Sequence, residues 1–170
     1  FQGEEWAASS PFQYFTDIAD PAVGAAVRDG RRSEFAAFGW EPAAVPDPQA
    51  EATFRRSQLD WAELEHAEHA AMLAWHRALL ACRAEHADLR DDRPGTTSAE
   101  VDVAAGWLVM LRGSISVVVN LGAATTVPVR PVERIVLSND PDASARPGGL
   151  ALGQDGVAII SHGPRSSSGG

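Results

Sequence analysis

Apolar positions recur at a helical period through the first half of the chain and at a strand period through the second. Asp20-Pro21 reads as a helix start, Asp as N-cap and Pro at the first helical position, with Val23, Val27 and Phe35 near one side before Gly39 ends the run. A proline-rich loop follows from Glu41-Pro42 to Asp47-Pro48, where the second Asp-Pro pair predicts a short helix ending near Arg55. The strongest helical signal covers about Ala62 to Glu85: Leu64, Ala71, Trp75, Leu79 and Cys82 form one apolar stripe, and the opposite acidic, histidine-bearing side is expected in solvent.

Asp91-Asp92-Arg93-Pro94-Gly95 breaks this pattern. Beyond it, Val101 to Val103, Trp107 to Leu111, Ile115 to Leu121, Thr125 to Val129, Arg134 to Leu137 and Val157 to Ile160 are short β-branched runs separated by turn pairs such as Arg112-Gly113 and Gly148-Gly149. The links are too short for crossover helices, so the sheet is expected to be antiparallel, in a small β-sandwich. Residues 165–170 read as a disordered Ser/Gly tail.

With 170 residues, 45% of them apolar, and a net charge of −9, the chain suits one or two globular domains and not a disordered or collagen-like one. The negative charge falls almost wholly before Gly95, and a chain this acidic lacks the basic face that nucleic acid requires. Its arginines are dispersed and unaccompanied by lysine, which reads as coding bias. Apolar runs fall far short of the ~20 residues of a membrane span, so no membrane partner is expected. Cys82 is the single cysteine, allows no internal disulfide and is compatible with a reducing cytoplasm. Phe1 stands where an initiator methionine would, within the apolar, aromatic Phe1-Gln2-Gly3-Glu4-Glu5-Trp6, and suggests a chain that begins inside a larger protein.

Candidate chemistry is sparse. Glu4 and Glu5, if on a strand, point to opposite faces and cannot converge on one bond; Asp91-Asp92 fails the same test in a turn. His66 and His69 are three apart, unlike the metalloprotease pair at i and i+4. His76 lies ten residues beyond His66, about 15 Å along a helix, so the three cannot share one ion and no metal is expected. No glycine-rich phosphate loop or nucleophile elbow is present, and no cofactor is implied. The aromatic cluster Trp6, Phe12, Tyr14 and Phe15, interleaved with Glu4, Glu5, Gln13 and Asp17, suits sugar binding, in which rings cover the C–H face of a pyranose and carboxylates and amides take its hydroxyls. Aromatics packed between a barrel and its lid give the same string.

Three stretches carry a family resemblance: Phe1-Gln2-Gly3-Glu4-Glu5-Trp6 through Pro11-Phe12-Gln13-Tyr14-Phe15-Thr16-Asp17, Val27-Arg28-Asp29-Gly30-Arg31-Arg32-Ser33-Glu34-Phe35, and Val45-Pro46-Asp47-Pro48-Gln49 with Thr53-Phe54 to Ser57-Gln58-Leu59-Asp60-Trp61. Over about Phe1 to Arg83 the chain resembles the malto-oligosyltrehalose trehalohydrolase family, within the α-amylase superfamily of glycoside hydrolases. Gln2, Ile18 and Cys82-Arg83 depart mildly from the family pattern. The β half resembles the superfamily's C-terminal domain more loosely.

The resemblance implies the end of a (β/α)8 barrel followed by an all-β antiparallel sandwich. Residues 1–95 would be the last strand (Phe1 to Glu5), an excursion loop and the last barrel helix; residues 96–164 would be the sandwich. The missing N-terminal part of the barrel would be its partner. It implies a retaining glycosidase of carbohydrate metabolism that cleaves the α-1,4 bond next to the terminal trehalose of malto-oligosyl trehalose, using an aspartate nucleophile, a glutamate acid/base and a second aspartate. Those carboxylates belong to earlier strands, the last in an Asn-His-Asp-type motif that this chain lacks, so no catalytic residue is assigned and the fragment is expected to be inactive alone. Because barrel sites lie at the strands' C-terminal ends, Glu5, Trp6, Phe15 and Asp17 are the expected substrate-binding residues. The alternatives are a glycogen-branching-type relative and a non-catalytic carbohydrate-binding module, although the strand half holds Trp107 as its one aromatic.

Overall fold

A computed structural model describes residues 1–163, so the tail expected at 165–170 lies outside the described residues. The chain divides into two compact units, Phe1–His76 and Arg77–Gly170, a boundary that falls N-terminal to the composition break at Gly95.

In the first unit, α1 spans Pro21–Ala36 and starts where the cap signal places it: the Asp20 carboxylate accepts from the backbone N–H groups of Ala22 and Val23. The expected Val23, Val27 and Phe35 stripe is a weak contact, since Val23 is about half exposed. The buried residue of α1 is Gly24, where an added Cβ would lie 2.8 Å from the Gln49 amide nitrogen. Asp47-Pro48 opens a turn and not a helix. Asp47 Oδ1 accepts from the Gln49 N–H and the Asp47 carbonyl from Thr53 Oγ1, so α2 starts later, at Glu51–Arg56. A 3-10 helix follows at Trp61–Glu65, His66 is extended, and α3 runs over Ala67–Glu85; the helix expected from Ala62 onward is therefore broken at its first turn.

No strand forms at Phe1 to Glu5 among the described residues. Gly3 takes a left-handed φ of 82° and a 3-10 helix covers Glu4–Trp6, with the Ala8 N–H bonded back to the Gly3 carbonyl, a turn geometry incompatible with a strand. Glu4 and Glu5 are thus neighbours on a 3-10 turn, and the alternating-face argument does not apply to them.

The second unit contains the C-terminal half of α3 and eight strands: β1 (Thr97–Asp102), β2 (Trp107–Arg112), β3 (Ile115–Asn120), β4 (Thr125–Pro128), β5 (Arg134–Ser138), β6 (Ser144–Arg146), β7 (Gly149–Leu152) and β8 (Gly156–Ser161). All pairings are antiparallel, in a five-stranded sheet of order β1-β2-β3-β8-β5 and a three-stranded sheet of order β4-β7-β6. The first strand pairs over Thr97–Asp102, earlier than its apolar residues suggest, and leaves Val103 exposed. Strands β6 and β7 escape the sequence pattern, and Gly149, expected in a turn, opens β7.

Between the sheets, Val109, Val118, Val127, Leu150, Leu152, Ala158 and Ile160 form the core. On the other face of the large sheet Ile115 and Ile159 meet Cys82 and Leu79 of α3, the period-2 consequence of a sheet buried on both sides. The stripe on α3 thus serves the β unit at its C-terminal end. Three buried polar side chains are satisfied internally. Asn120 Nδ2 donates to the carbonyls of Ala123 and Gly153 while its Oδ1 accepts from the Gly122 N–H, and Ser116 Oγ meets His162 Nε2 at 2.7 Å.

Candidate substrate groove of the first unit

Residues 8 to 18 run as an irregular segment held by hydrogen bonds to side chains and carbonyls of the stretch between Pro48 and Glu63. The Ser9 N–H and hydroxyl donate to the Glu63 carboxylate, Ser10 Oγ to the Gln58 carbonyl, the Gln13 N–H to Ser57 Oγ and the Thr16 N–H to the Pro48 carbonyl. Gln49 is the central clasp. Its Oε1 accepts from Thr16 Oγ1 at 2.5 Å and from the Ile18 N–H at 3.0 Å, and its Nε2 donates to the Ile18 carbonyl at 2.9 Å. Ser9 holds the Glu63 carboxyl below its ordinary range, so this buried acid stays ionised as a structural acceptor.

The clasp sets Phe15 edge-on to Phe54, with ring centroids 5.2 Å apart. Together with Thr16, Asp17, Gln49, Ala50 and Glu51 they line a groove of about 520 Å³. The same two rings border a second stretch of about 580 Å³, lined also by Gln2, Ser57, Gln58, Leu59 and Trp61. Flat rings beside amides and carboxylates can hold the C–H faces and hydroxyls of a saccharide. Glu51 is paired with Arg55 at 2.5 Å, which leaves Asp17 as the exposed carboxylate without an ion-pair partner among the described lining residues.

Of the four expected substrate-binding residues, the structure brings Phe15 and Asp17 together on this groove. Glu5 is half-buried and lines neither stretch. Trp6 is 2% exposed, with its ring 5.0 Å from that of Trp61, so it supports Trp61 from within and has no free face of its own. Trp61, Phe54, Gln49 and Gln58 are groove residues that the residue chemistry did not single out. Their signal was present only as part of the family stretches.

His69 is not in solvent, contrary to the expectation for that side of the helix. Its side chain is 12% exposed and Nδ1 lies 2.8 Å from the Trp6 carbonyl, because the 3-10 turn at Glu4–Trp6 lies against it. Among the described residues no group of three or more His, Cys, Asp or Glu could hold a metal ion, and no helix is long and apolar enough to cross a membrane.

Residues 90–159 match a family model described as a domain of unknown function, DUF3459. The chain is 41% identical over 160 residues to a malto-oligosyltrehalose trehalohydrolase of Brevibacterium helvolum, covering 94% of this chain and 27% of the relative. It is 42% identical to one of Arthrobacter ramosus over 162 residues, again 94% of this chain and 27% of the relative. A third, from Mycobacterium tuberculosis strain H37Rv, is 43% identical over 130 residues, 76% of this chain and 22% of the relative. A crystal structure of a Salmonella typhimurium protein described as an alpha amylase superposes with a TM-score of 0.76 at 30% identity, covering 95% of this chain and 27% of that one. The chain spans about a quarter of the length of the relatives it matches. Over that quarter, its sequence belongs with the malto-oligosyltrehalose trehalohydrolases, glycoside hydrolases whose fold it shares with an α-amylase relative.

Proposed function

We propose that this chain acts as the C-terminal part of a retaining glycosidase that releases trehalose from malto-oligosyl trehalose by cleaving the adjacent α-1,4 bond. The identity of 41% to a trehalohydrolase across 94% of the chain carries this reading. The first unit contributes one flank of the substrate cleft, at the end of a (β/α)8 barrel completed by the rest of the protein. Phe15 offers a ring face and Asp17 a hydroxyl partner, with Gln49 holding the segment that carries both; Trp6 contributes by backing Trp61. Glu5, on the turn that leads into this segment, is assigned to the cleft through the family motif alone. The second unit is the β-sandwich that follows the barrel. The catalytic aspartates and glutamate come from elsewhere in the enzyme, which acts in the cytoplasm in trehalose formation.

A chimera tests this. The matching 160 residues of the Brevibacterium helvolum relative are replaced by this chain, and trehalose release from malto-oligosyl trehalose is measured beside that of the 170-residue chain alone. The chimera is expected to release trehalose and the chain alone to release none. In the chimera, Phe15→Ala and Asp17→Asn are expected to raise KM. Trehalose release by the chain alone, or glucan branching in place of hydrolysis by the chimera, would overturn the assignment.

A further inference from the structure

The irregular segment that carries Phe15 and Asp17 to the groove also carries Phe12 and Tyr14. The two sets line different cavities: Phe15, Thr16 and Asp17 the groove, Phe12, Gln13 and Tyr14 another. Phe12 and Tyr14 border a separate cavity of about 220 Å³, with Gln13, Arg31, Phe35 and Trp40 in its wall. Tyr14, Arg31, Phe35 and Trp40 form one continuous chain of contacts. The Arg31 guanidinium lies 4.9 Å from the Tyr14 ring centre and 4.8 Å from that of Phe35, and Phe35 lies 5.3 Å from Trp40. The helix supplies Arg31 and Phe35 one turn apart, and the chain turns back after Gly39 to add Trp40.

Three of these rings have free surface: Phe12 is 62%, Tyr14 49% and Trp40 53% exposed. Arg31 is held in place by the two rings and by Glu34 at 3.3 Å. Its charge is thus already balanced, which disfavours an anion as occupant. What remains is ring surface, a planar guanidinium edge and the nitrogen side of the Gln13 amide, whose oxygen accepts from Arg56 Nε at 3.3 Å, around a space of about 220 Å³, room for one sugar ring. That combination of flat apolar faces and hydroxyl partners matches a neutral hexose.

We propose that this cavity is a second saccharide-binding site, distinct from the Phe15–Asp17 groove, that takes one glucose unit of a neutral α-glucan. The choice of an α-glucan rests on the glycosidase reading above; the site itself rests on the Tyr14, Arg31, Phe35 and Trp40 contacts.

Titration of the isotopically labelled full chain with maltotriose, followed by amide and indole N–H resonances, tests it. Saturable shifts are expected at Tyr14, Arg31 and the Trp40 indole. Trp40→Ala and Tyr14→Ala are each expected to weaken that binding on the order of tenfold. Arg31→Lys, which keeps the charge but loses the plane between the rings, should also weaken it. The thermal transition of each variant shows whether the fold is retained, and Trp40→Phe, which keeps a ring, should bind more tightly than Trp40→Ala. Shifts confined to Phe15, Asp17 and Trp61 would overturn this proposal and leave the groove standing. Shifts confined to Tyr14, Arg31 and Trp40 would support it and remove the groove. No saturable shift at the second cavity, or unchanged affinity in a folded Trp40→Ala variant, would identify it as an apolar surface with no sugar specificity.

Discussion

Replacing Trp6 by alanine separates support of the fold from direct contact with a ligand. Trp6 is 2% exposed, and the other buried large apolar side chain of its unit among the described residues is Val45. A buried tryptophan removes about 150–250 Å² from water, which at about 25 cal/mol per Å² corresponds to about 4–6 kcal/mol. Measured truncations of large aromatic residues to alanine cost about 3–5 kcal/mol. A unit of this size shifts by about 4–8 °C per kcal/mol, so its melting temperature should fall by at least about 12 °C. Trp6→Phe should cost much less. It keeps an aromatic ring against Trp61 and so retains most of the buried apolar contact. Near-ultraviolet circular dichroism and hydrogen exchange across residues 1–76 would follow the loss, with amides of the β-sandwich as the internal control. An unchanged transition in Trp6→Ala, accompanied by loss of oligosaccharide binding, would refute the supporting role and make Trp6 a contact residue.

Asn120→Ala leaves the Ala123 and Gly153 carbonyls and the Gly122 N–H without their buried partner, and should cost about 3 kcal/mol in urea unfolding of the β unit; a loss below about 1 kcal/mol would show that water replaces the amide. Gly149→Ala places a Cβ 2.2 Å from the Val127 carbonyl oxygen on β4 and should destabilise by about 1–3 kcal/mol or more, whereas neighbouring Gly148, with open space around it and a φ of 85°, should cost about 1 kcal/mol when changed to alanine. The reverse order in equilibrium denaturation would contradict the β4–β7 register. Asp91 is lowered from its ordinary 3.8 to about 2 by hydrogen bonds from the Arg93 side chain and backbone, and Asp88 and Asp140 are lowered by the hydroxyl and N–H of Ser114 and by the N–H groups of Gly153 and Asp142. Between about pH 4 and pH 2 the unfolded chain therefore binds more protons than the folded one, so stability present above that window should fall as the pH drops through it. Asp91→Asn should flatten the decline in an acid titration followed by circular dichroism; an unchanged slope would remove Asp91 from the account.

Local chemistry decided much of this protein from its sequence alone. Asp20-Pro21 set the start of α1 because a cap needs only its next few N–H groups, and the β-branched runs with short links required an antiparallel unit because no crossover fits between them. The family stretches, too, are carried by the sequence itself. What the sequence could not decide is what lies opposite each residue. Gly149 to Leu152 carries no strong strand signal and becomes β7 only through pairing with β4 and β6. A strand at Phe1 to Glu5 is absent because Gly3 turns the chain back on itself. Trp6 and Trp61 look alike in composition, yet one is buried and the other 64% exposed, since burial depends on neighbours more than fifty positions away. The groove has the same origin: Phe15 meets Phe54 because Gln49 clasps Thr16 and Ile18 through hydrogen bonds that span more than thirty residues of chain, beyond the reach of any local pattern.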